Sequence, residues 1–151
     1  MTTKRPSLSS TAPAVYRAIN ALDQSVDFDP ALSELVRIRA SQINGCTYCI
    51  DMHSRDARDG GESERRIWAV VAWRETPFFS DRERAALALT EALTQLPVQG
   101  VPNEVYNEAA RHFSPEELGN LIGAIIAINA WNRVGVATAL HPAAEVGEAA
   151  A

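Results

Sequence analysis

Two cysteines and a histidine lie close together in the first half of the chain and are the residues best suited to chemistry. Cys46 and Cys49 are its only cysteines, and with His53 they form a CxxCxxxH segment. If a helix begins at Cys46 or Thr47, the three side chains share one helix face, with about 5–6 Å between neighbouring Cβ atoms. The spacing therefore predicts one site that holds two sulfurs and an imidazole.

This combination suits thiol redox chemistry, because the thiolate and not the thiol is the nucleophile. The positive end of the helix dipole, the first-turn amides and the His53 imidazole all stabilise a thiolate. Two thiols three residues apart can close into a disulfide, so an oxidised sulfur can be resolved within the chain. Cys49, one turn before His53, is interpreted as the sulfur that attacks a peroxide, and Cys46 as the sulfur that an external thiol attacks. The helix dipole favours Cys46 as the acidic thiol, so this assignment stays open.

Two other interpretations compete with redox chemistry. In one, both cysteines are core residues and His53 is an ordinary surface residue of an amphipathic helix. In the other, Cys46, Cys49, His53 and Glu34 bind zinc, although structural zinc usually uses a second CxxC or HxxxH pair, which this sequence lacks. We therefore predict a redox site without a metal or a cofactor.

The sequence predicts the helices that position these residues. Apolar residues recur at three- and four-residue intervals without strict alternation, which predicts an all-α single-domain bundle of about six to seven helices. Predicted helices cover residues 12–25, 30–43, 46–59, the segment from Ile67 to Trp73, 80–96, a short stretch after Pro102, and a long buried stretch after Ser114. The domain is expected to span residues 12–140, between flexible tails at 1–11 and 141–151.

Composition narrows the class of protein. The chain has 151 residues with 46% hydrophobic and 22% charged, which is typical of one folded domain. A net charge of −5 and the lack of basic runs argue against nucleic acid as a partner. The longest strongly apolar stretch, Leu121 to Ala130, is too short for a bilayer, and the N-terminus lacks the apolar core of a signal peptide. We therefore expect a cytoplasmic protein that does not span a membrane.

Glu34, Cys46 twelve residues later and the CxxCxxxH segment together resemble the active-site signature of the alkylhydroperoxidase D-like branch of the carboxymuconolactone decarboxylase family. The resemblance extends to Phe79–Leu96, Pro102–Phe113 and the cluster Ile128, Asn129, Asn132 and Arg133, and so covers most of the chain apart from the tails. It implies an all-helical fold, assembly into homotrimers or hexamers, and reduction of alkyl hydroperoxides by a cysteine pair. It also implies re-reduction of that pair by a dithiol, a lipoyl-type reductant or an adaptor protein.

Carried over by position, Glu34 matches the relay carboxylate, Cys46 and Cys49 the redox pair, and His53 the proton-moving histidine of the family. Tyr48 departs from the pattern, because the best-known members have a histidine there. We predict that Tyr48 shapes substrate access or contributes to the relay, and that activity is weaker or retuned.

Other functions remain open at this point. The main alternative is a non-catalytic helical oligomer that senses redox state or binds a partner; a disulfide reductase or a lactone decarboxylase-like enzyme is less favoured. The decarboxylase branch is not expected to carry the cysteine pair. Asn129, Asn132 and Arg133 interrupt an apolar helix, which predicts a structural network or a subunit contact.

Overall fold

The structure is a computed structural model that describes residues 5–143. Within this range it is all-helical, with no strand. The elements are α1 Leu8–Thr11, α2 Pro13–Gln24, α3 Pro30–Asn44, α4 Thr47–Asp59, α5 Glu64–Ala69, a 3₁₀-helix Val70–Glu75, α6 Asp81–Gln95, α7 Asn103–His112 and α8 Pro115–Thr138. The all-α prediction is confirmed, with slightly more helices than predicted.

The extra elements have local causes. The four residues of α1 form a single turn inside the segment predicted as an N-terminal tail. The predicted helix from Ile67 to Trp73 is divided, because Ala72 has non-helical φ/ψ of −126° and 37°. Arg84 of α6 donates to the carbonyls of Trp73 and Arg74 at 3.1 Å, so these groups need no further helical turn. Most of the predicted C-terminal tail, residues 144–151, and residues 1–4 lie outside the described residues.

Several of the remaining helices have the caps that the sequence predicts. The Asp29 side chain accepts a hydrogen bond from the Leu32 amide at 3.1 Å, next to Pro30 at the first helical position. Ser80 and Ser114 form complete capping boxes with the glutamates three residues on. Gly45 ends α3 with a φ of 68°, a conformation that glycine adopts easily. The chain thus turns at Gly45 and Cys46, and α4 begins at Thr47.

The core lies where α3 packs against α4, α6 and α8. The predicted burial of α8 is confirmed, since Leu121, Ile125 and Ile128 are almost fully buried. By length and composition alone α8 could cross a membrane, but the core helix of a soluble protein passes the same test. Its contacts with α2, α3 and α6 match a core helix. Ile126 and Val136 of α8 are exposed.

A polar network ties α8 to the turn before α4. Asn44, the last residue of α3, donates to the side-chain oxygens of Asn129 and Asn132 at 3.0 and 2.9 Å. Asn132 donates in turn to the Ser41 hydroxyl at 2.9 Å. The Ser41 carbonyl accepts the amide of Cys46 at 3.0 Å. The predicted structural network is confirmed, and it fixes the backbone at the first cysteine.

Candidate active site

The CxxC pair opens α4. Cys46 is the N-cap residue and Cys49 lies in the first turn, with the two Cα atoms 5.4 Å apart. Their sulfurs are joined in a disulfide. The two residues are only 2% and 3% exposed. The sequence reasoning placed both sulfurs at this helix start, and the structure brings them together there.

His53 lies one turn after Cys49 and is 4% exposed. Its Nδ1 forms a 2.8 Å hydrogen bond with Oε2 of Glu34, which projects from α3 with 21% of its side chain exposed. A carboxylate at Nδ1 fixes the ring orientation and favours the tautomer with the proton on that nitrogen. The interpretation of His53 as an ordinary surface residue is therefore wrong. Buried His53 and half-buried Glu34 form a hydrogen-bonded pair beside the disulfide.

A cavity of about 400 Å³ adjoins Cys49 and His53, and we call it the Cys49 cavity. The Tyr16 and Trp131 rings, which contact edge to face with centroids 5.2 Å apart, form part of its wall. Its other lining residues come from α1, α2, α4, α8 and their flanks: Ser7, Leu8, Ser9, Asn20, Asp23, Tyr48, Met52, Val134, Gly135, Thr138 and Leu140. The cavity presents apolar and aromatic surface next to one sulfur.

Tyr48 is half-buried and lines the Cys49 cavity. With Trp131 it packs against the buried group formed by Ala40, Cys46, Cys49 and Ile128. This position suits a residue that shapes access to the sulfurs. Its role in a proton relay stays a prediction.

A second cavity, of about 370 Å³, adjoins Cys46, and we call it the Cys46 cavity. Its other lining residues are Arg5, Gly45, Thr47, Gly135, Val136, Ala139, Leu140 and His141. Most of these side chains are small. His53 and the aromatic residues of the Cys49 cavity do not line it. The two sulfurs therefore face different surroundings.

Gly135 allows α8 to approach the disulfide. A Cβ atom at this position would lie 2.8 Å from Sγ of Cys46 and 3.8 Å from Sγ of Cys49. The first distance is well inside the contact distance of about 3.5–4.0 Å for heavy atoms. The sequence analysis did not single out Gly135. A glycine inside a strongly helical pattern was the signal that could have identified it.

One group of possible metal ligands is present among the described residues. The side chains of Glu34, His53 and Asp56 each offer a ligand atom, and these atoms lie within 4.8 Å of one another. Glu34 and Asp56, but not His53, line a cavity of about 490 Å³ together with Asp29 and Glu62. This group of possible ligands differs from the zinc site considered from the sequence, because the cysteine sulfurs are bonded to each other. Exposed acidic groups of this kind are common without an ion, so the group carries no assignment.

Comparison with known sequences identifies a protein family and a relative that this chain resembles. A model of the carboxymuconolactone decarboxylase family matches residues 13–92. The uncharacterized protein YdfG of Bacillus subtilis is 47% identical over 104 residues, which cover 69% of this chain and 71% of YdfG. The matched family segment includes Glu34, both cysteines and His53.

Comparison with solved structures supports the same relationship. A crystal structure of a protein of unknown function from Agrobacterium tumefaciens, for which the role of an antioxidant defence protein AhpD has been suggested, matches with a TM-score of 0.88 at 36% identity. The match covers 94% of this chain and 100% of that chain. An uncharacterized peroxidase-related protein from Silicibacter sp. TM1040 matches with a TM-score of 0.75 at 22% identity, covering 85% and 70% of the two chains. At that identity the likeness shows the fold alone.

Proposed function

The chain belongs to the carboxymuconolactone decarboxylase family as an alkylhydroperoxidase D-like protein, and from this premise we propose that it is a thiol-dependent peroxidase that reduces alkyl hydroperoxides. One observation carries the proposal. A cysteine pair that can form a disulfide opens α4 beside a buried histidine that is hydrogen-bonded to a carboxylate, and a cavity reaches one sulfur and the histidine together. These are the parts that a thiol peroxidase cycle requires.

The first half of the cycle starts from the reduced pair. With Nδ1 bonded to Glu34, Nε2 of His53 is the nitrogen that can take the proton of the Cys49 thiol. The Cys49 thiolate attacks the distal peroxide oxygen, the O–O bond breaks, and the alcohol leaves with a proton returned by the imidazole. Cys49 becomes a sulfenic acid.

The second half closes the disulfide. The Cys46 sulfur attacks the sulfenic sulfur, and water leaves as the S–S bond forms. Cys46 lies at the N-terminus of α4, where backbone amides and the helix dipole stabilise its thiolate. Two thiol groups of a reductant then restore both cysteines, so that one hydroperoxide is reduced for each dithiol oxidised.

The remaining parts of the proposal rest on the family. The reductant is a dithiol, a lipoyl-type group or an adaptor protein, and the protein acts as a homotrimer or hexamer. The proposal that it works in the cytoplasm rests on the sequence analysis instead. The exposed apolar residues Ile126 and Val136 of α8 suit a subunit contact. Sedimentation of the purified chain tests the assembly directly, and a monomer would contradict it.

Steady-state turnover tests the activity. Purified protein with dithiothreitol and tert-butyl hydroperoxide is expected to consume many equivalents of peroxide, and Cys49→Ser is expected to abolish this. In Cys46→Ser the sulfenic acid on Cys49 has no internal partner, so a sulfenic acid reagent should label Cys49. Consumption of a single equivalent by the wild type would instead support the non-catalytic redox-sensing protein. Label on Cys46 in Cys49→Ser, together with no label on Cys49 in Cys46→Ser, would reverse the assignment of the two cysteines.

A further inference from the structure

We propose that the two substrates reach the disulfide through separate openings: the hydroperoxide reaches Cys49 through the Cys49 cavity, and the dithiol reaches Cys46 through the Cys46 cavity. This inference rests on the proposed peroxidase function and extends it. It assigns a binding role to each cavity and identifies the residues that control access to each sulfur.

The composition of the two cavities carries the inference. Each cavity is lined by one of the cysteines and not by the other, and among the lining residues only Gly135 and Leu140 are shared. The backbone of α8 at Gly135 lies against the disulfide, where even a methyl group would contact Sγ of Cys46. The helix thus leaves no spare room for a substrate to cross from one cavity to the other at that point. A reagent in one cavity meets one sulfur.

The Cys49 cavity suits a hydroperoxide that carries an apolar group. Its volume of about 400 Å³ far exceeds the share of about 30 Å³ that a water molecule occupies in the liquid. Tyr16, Trp131 and Met52 offer aromatic and thioether surface for an organic substituent. His53, which handles the proton of the leaving alcohol, lines this cavity and not the other. The proton relay is therefore on the side where the O–O bond breaks.

The Cys46 cavity suits an incoming thiolate. Small residues, among them Gly45, Thr47 and Ala139, make up much of its lining, so few bulky side chains surround the cavity. Arg5 also lines it, with one guanidinium nitrogen donating to the carbonyl of Ala137 at 2.9 Å. A fixed positive charge at the opening attracts the anionic form of a thiol, which is the form that attacks disulfides.

The reduction step follows from this geometry. The incoming thiolate bonds to Sγ of Cys46, the S–S bond breaks, and Cys49 departs as a thiolate, which is protonated from solvent. The second thiol of the reductant then attacks its own sulfur in the mixed disulfide and releases Cys46 as a thiolate, which is protonated from solvent. The oxidised dithiol leaves through the Cys46 cavity. Cys49 is then reduced and already faces the opening through which the next hydroperoxide arrives.

Obstruction of one cavity at a time tests the inference. Asn20 lines only the Cys49 cavity and Thr47 only the Cys46 cavity, so Asn20→Trp and Thr47→Trp each narrow one opening. Ala110→Trp, at an exposed position of α7 away from both cavities, is the matched control. The two half-reactions are measured separately by stopped flow: oxidation of the reduced protein by cumene hydroperoxide, and reduction of the disulfide protein by dithiothreitol.

The expected result is a crossed pattern. Asn20→Trp should slow oxidation by cumene hydroperoxide by about tenfold or more, because misplacement of a reactant by about 1 Å can already slow a reaction by about 100-fold. The rate of reduction by dithiothreitol should stay within about twofold of wild type. Thr47→Trp should do the reverse, and Ala110→Trp should change neither rate. If Asn20→Trp or Thr47→Trp does not fold, Thr138→Trp and Val136→Trp take their places. Equal slowing of both half-reactions by either blocking variant, or of neither, would overturn the inference.

Alkylation separates failure of this inference from failure of the proposed function. Iodoacetamide reacts with the reduced protein without any peroxidase activity, and mass spectrometry identifies the cysteine that it modifies. Asn20→Trp should slow modification of Cys49 alone, and Thr47→Trp modification of Cys46 alone. If this pattern holds while the wild type does not turn over hydroperoxide, the proposed function is wrong and the separate access to each sulfur stands. Loss of the pattern in a protein that turns over hydroperoxide would refute separate access and leave the peroxidase function intact.

Discussion

Replacement of Gly135 by alanine tests how closely α8 must approach the disulfide. The new methyl group would lie 2.8 Å from Sγ of Cys46. This falls short of the usual contact distance by about 0.7–1.2 Å, so either the sulfur or the helix backbone has to move. Gly119, on the same helix, offers a matched control, since a Cβ at that position has nothing within 4 Å.

The expected energies follow from two opposing effects. Alanine stabilises a helix interior relative to glycine by about 0.8–1.0 kcal/mol, and this gain applies to both positions. Overpacking at a tight contact costs about 1–3 kcal/mol and applies only to Gly135. Gly119→Ala should therefore raise the free energy of unfolding by about 1 kcal/mol. The free energy of unfolding of Gly135→Ala should be about 1–3 kcal/mol lower than that of Gly119→Ala. The difference between the two variants measures the steric cost alone.

Urea unfolding of the oxidised proteins measures these energies. The same pair of substitutions in a Cys46→Ala background supplies the decisive comparison, because the sulfur that the methyl group meets is then absent. There the difference between Gly135→Ala and Gly119→Ala should largely vanish, as a double-mutant cycle would report. Displacement of the Cys46 sulfur by about 1 Å should also slow closure of the disulfide by up to about 100-fold.

Equal stabilisation by both alanines in the oxidised wild-type background would refute this account. It would mean that α8 and the disulfide are farther apart than the structure places them. A difference that persists unchanged without the Cys46 sulfur would also refute it, because the strain would then arise from another neighbour.

Three further substitutions test the positioning of the site and the stability of the fold. Glu34→Gln removes the charge that holds His53 and should slow reaction of the reduced protein with hydroperoxide by about 10²-fold, measured by stopped flow; an unchanged rate would exclude the relay. Asn132→Ala removes the two hydrogen bonds of this buried side chain with Ser41 and Asn44, at about 0.5–1.5 kcal/mol each, and should lower the free energy of unfolding in urea by about 1–3 kcal/mol, whereas exposed Asn107→Ala should not. Burial alone would raise the pKa of Glu91, but hydrogen bonds from Trp73, Arg74 and Arg39 outweigh burial and lower it from 4.5. Near pH 4.5 the Glu91 carboxyl therefore binds more protons in the unfolded protein than in the folded protein. The stabilisation that it contributes is present above pH 4.5 and is lost as the pH falls through the pKa of the folded state. In thermal melts, Glu91→Gln should lose less stability in acid than the wild type does.

The sequence predicted those parts of the fold that short-range signals determine. Asp29 with Pro30, and the capping boxes at Ser80 and Ser114, fix helix starts through hydrogen bonds within one turn, so a local pattern suffices. Gly45 marks the reversal before α4 because its backbone has a positive φ. The placement of both sulfurs at the start of α4 follows from the same local information.

Features that depend on residues distant in the sequence could not be predicted from local patterns. The interruption at Ala72 is stabilised by Arg84 from the next helix, which no local pattern around Ala72 reveals. Asp56 approaches Glu34 only because α3 and α4 pack side by side. Tyr16 and Trp131 meet across α2 and α8 to form a cavity wall, although they are more than a hundred residues apart. Their contact depends on tertiary packing, which hydrophobic periodicity does not encode.

The site therefore combines two kinds of residue with different origins. The cysteines, His53 and Glu34 lie on α3 and α4, within about twenty consecutive residues, and they supply the chemistry. The surfaces that control access to the sulfurs come largely from the N-terminal segment and from α8, which packs against it through α2. Because these surfaces contribute no reacting group, they can change without loss of the redox pair. Differences in hydroperoxide preference among proteins that share the CxxCxxxH segment should consequently map to residues of the Cys49 cavity such as Tyr16, Asn20 and Thr138. Exchange of these residues between relatives should transfer that preference without changing the reactivity of the cysteine pair toward dithiothreitol.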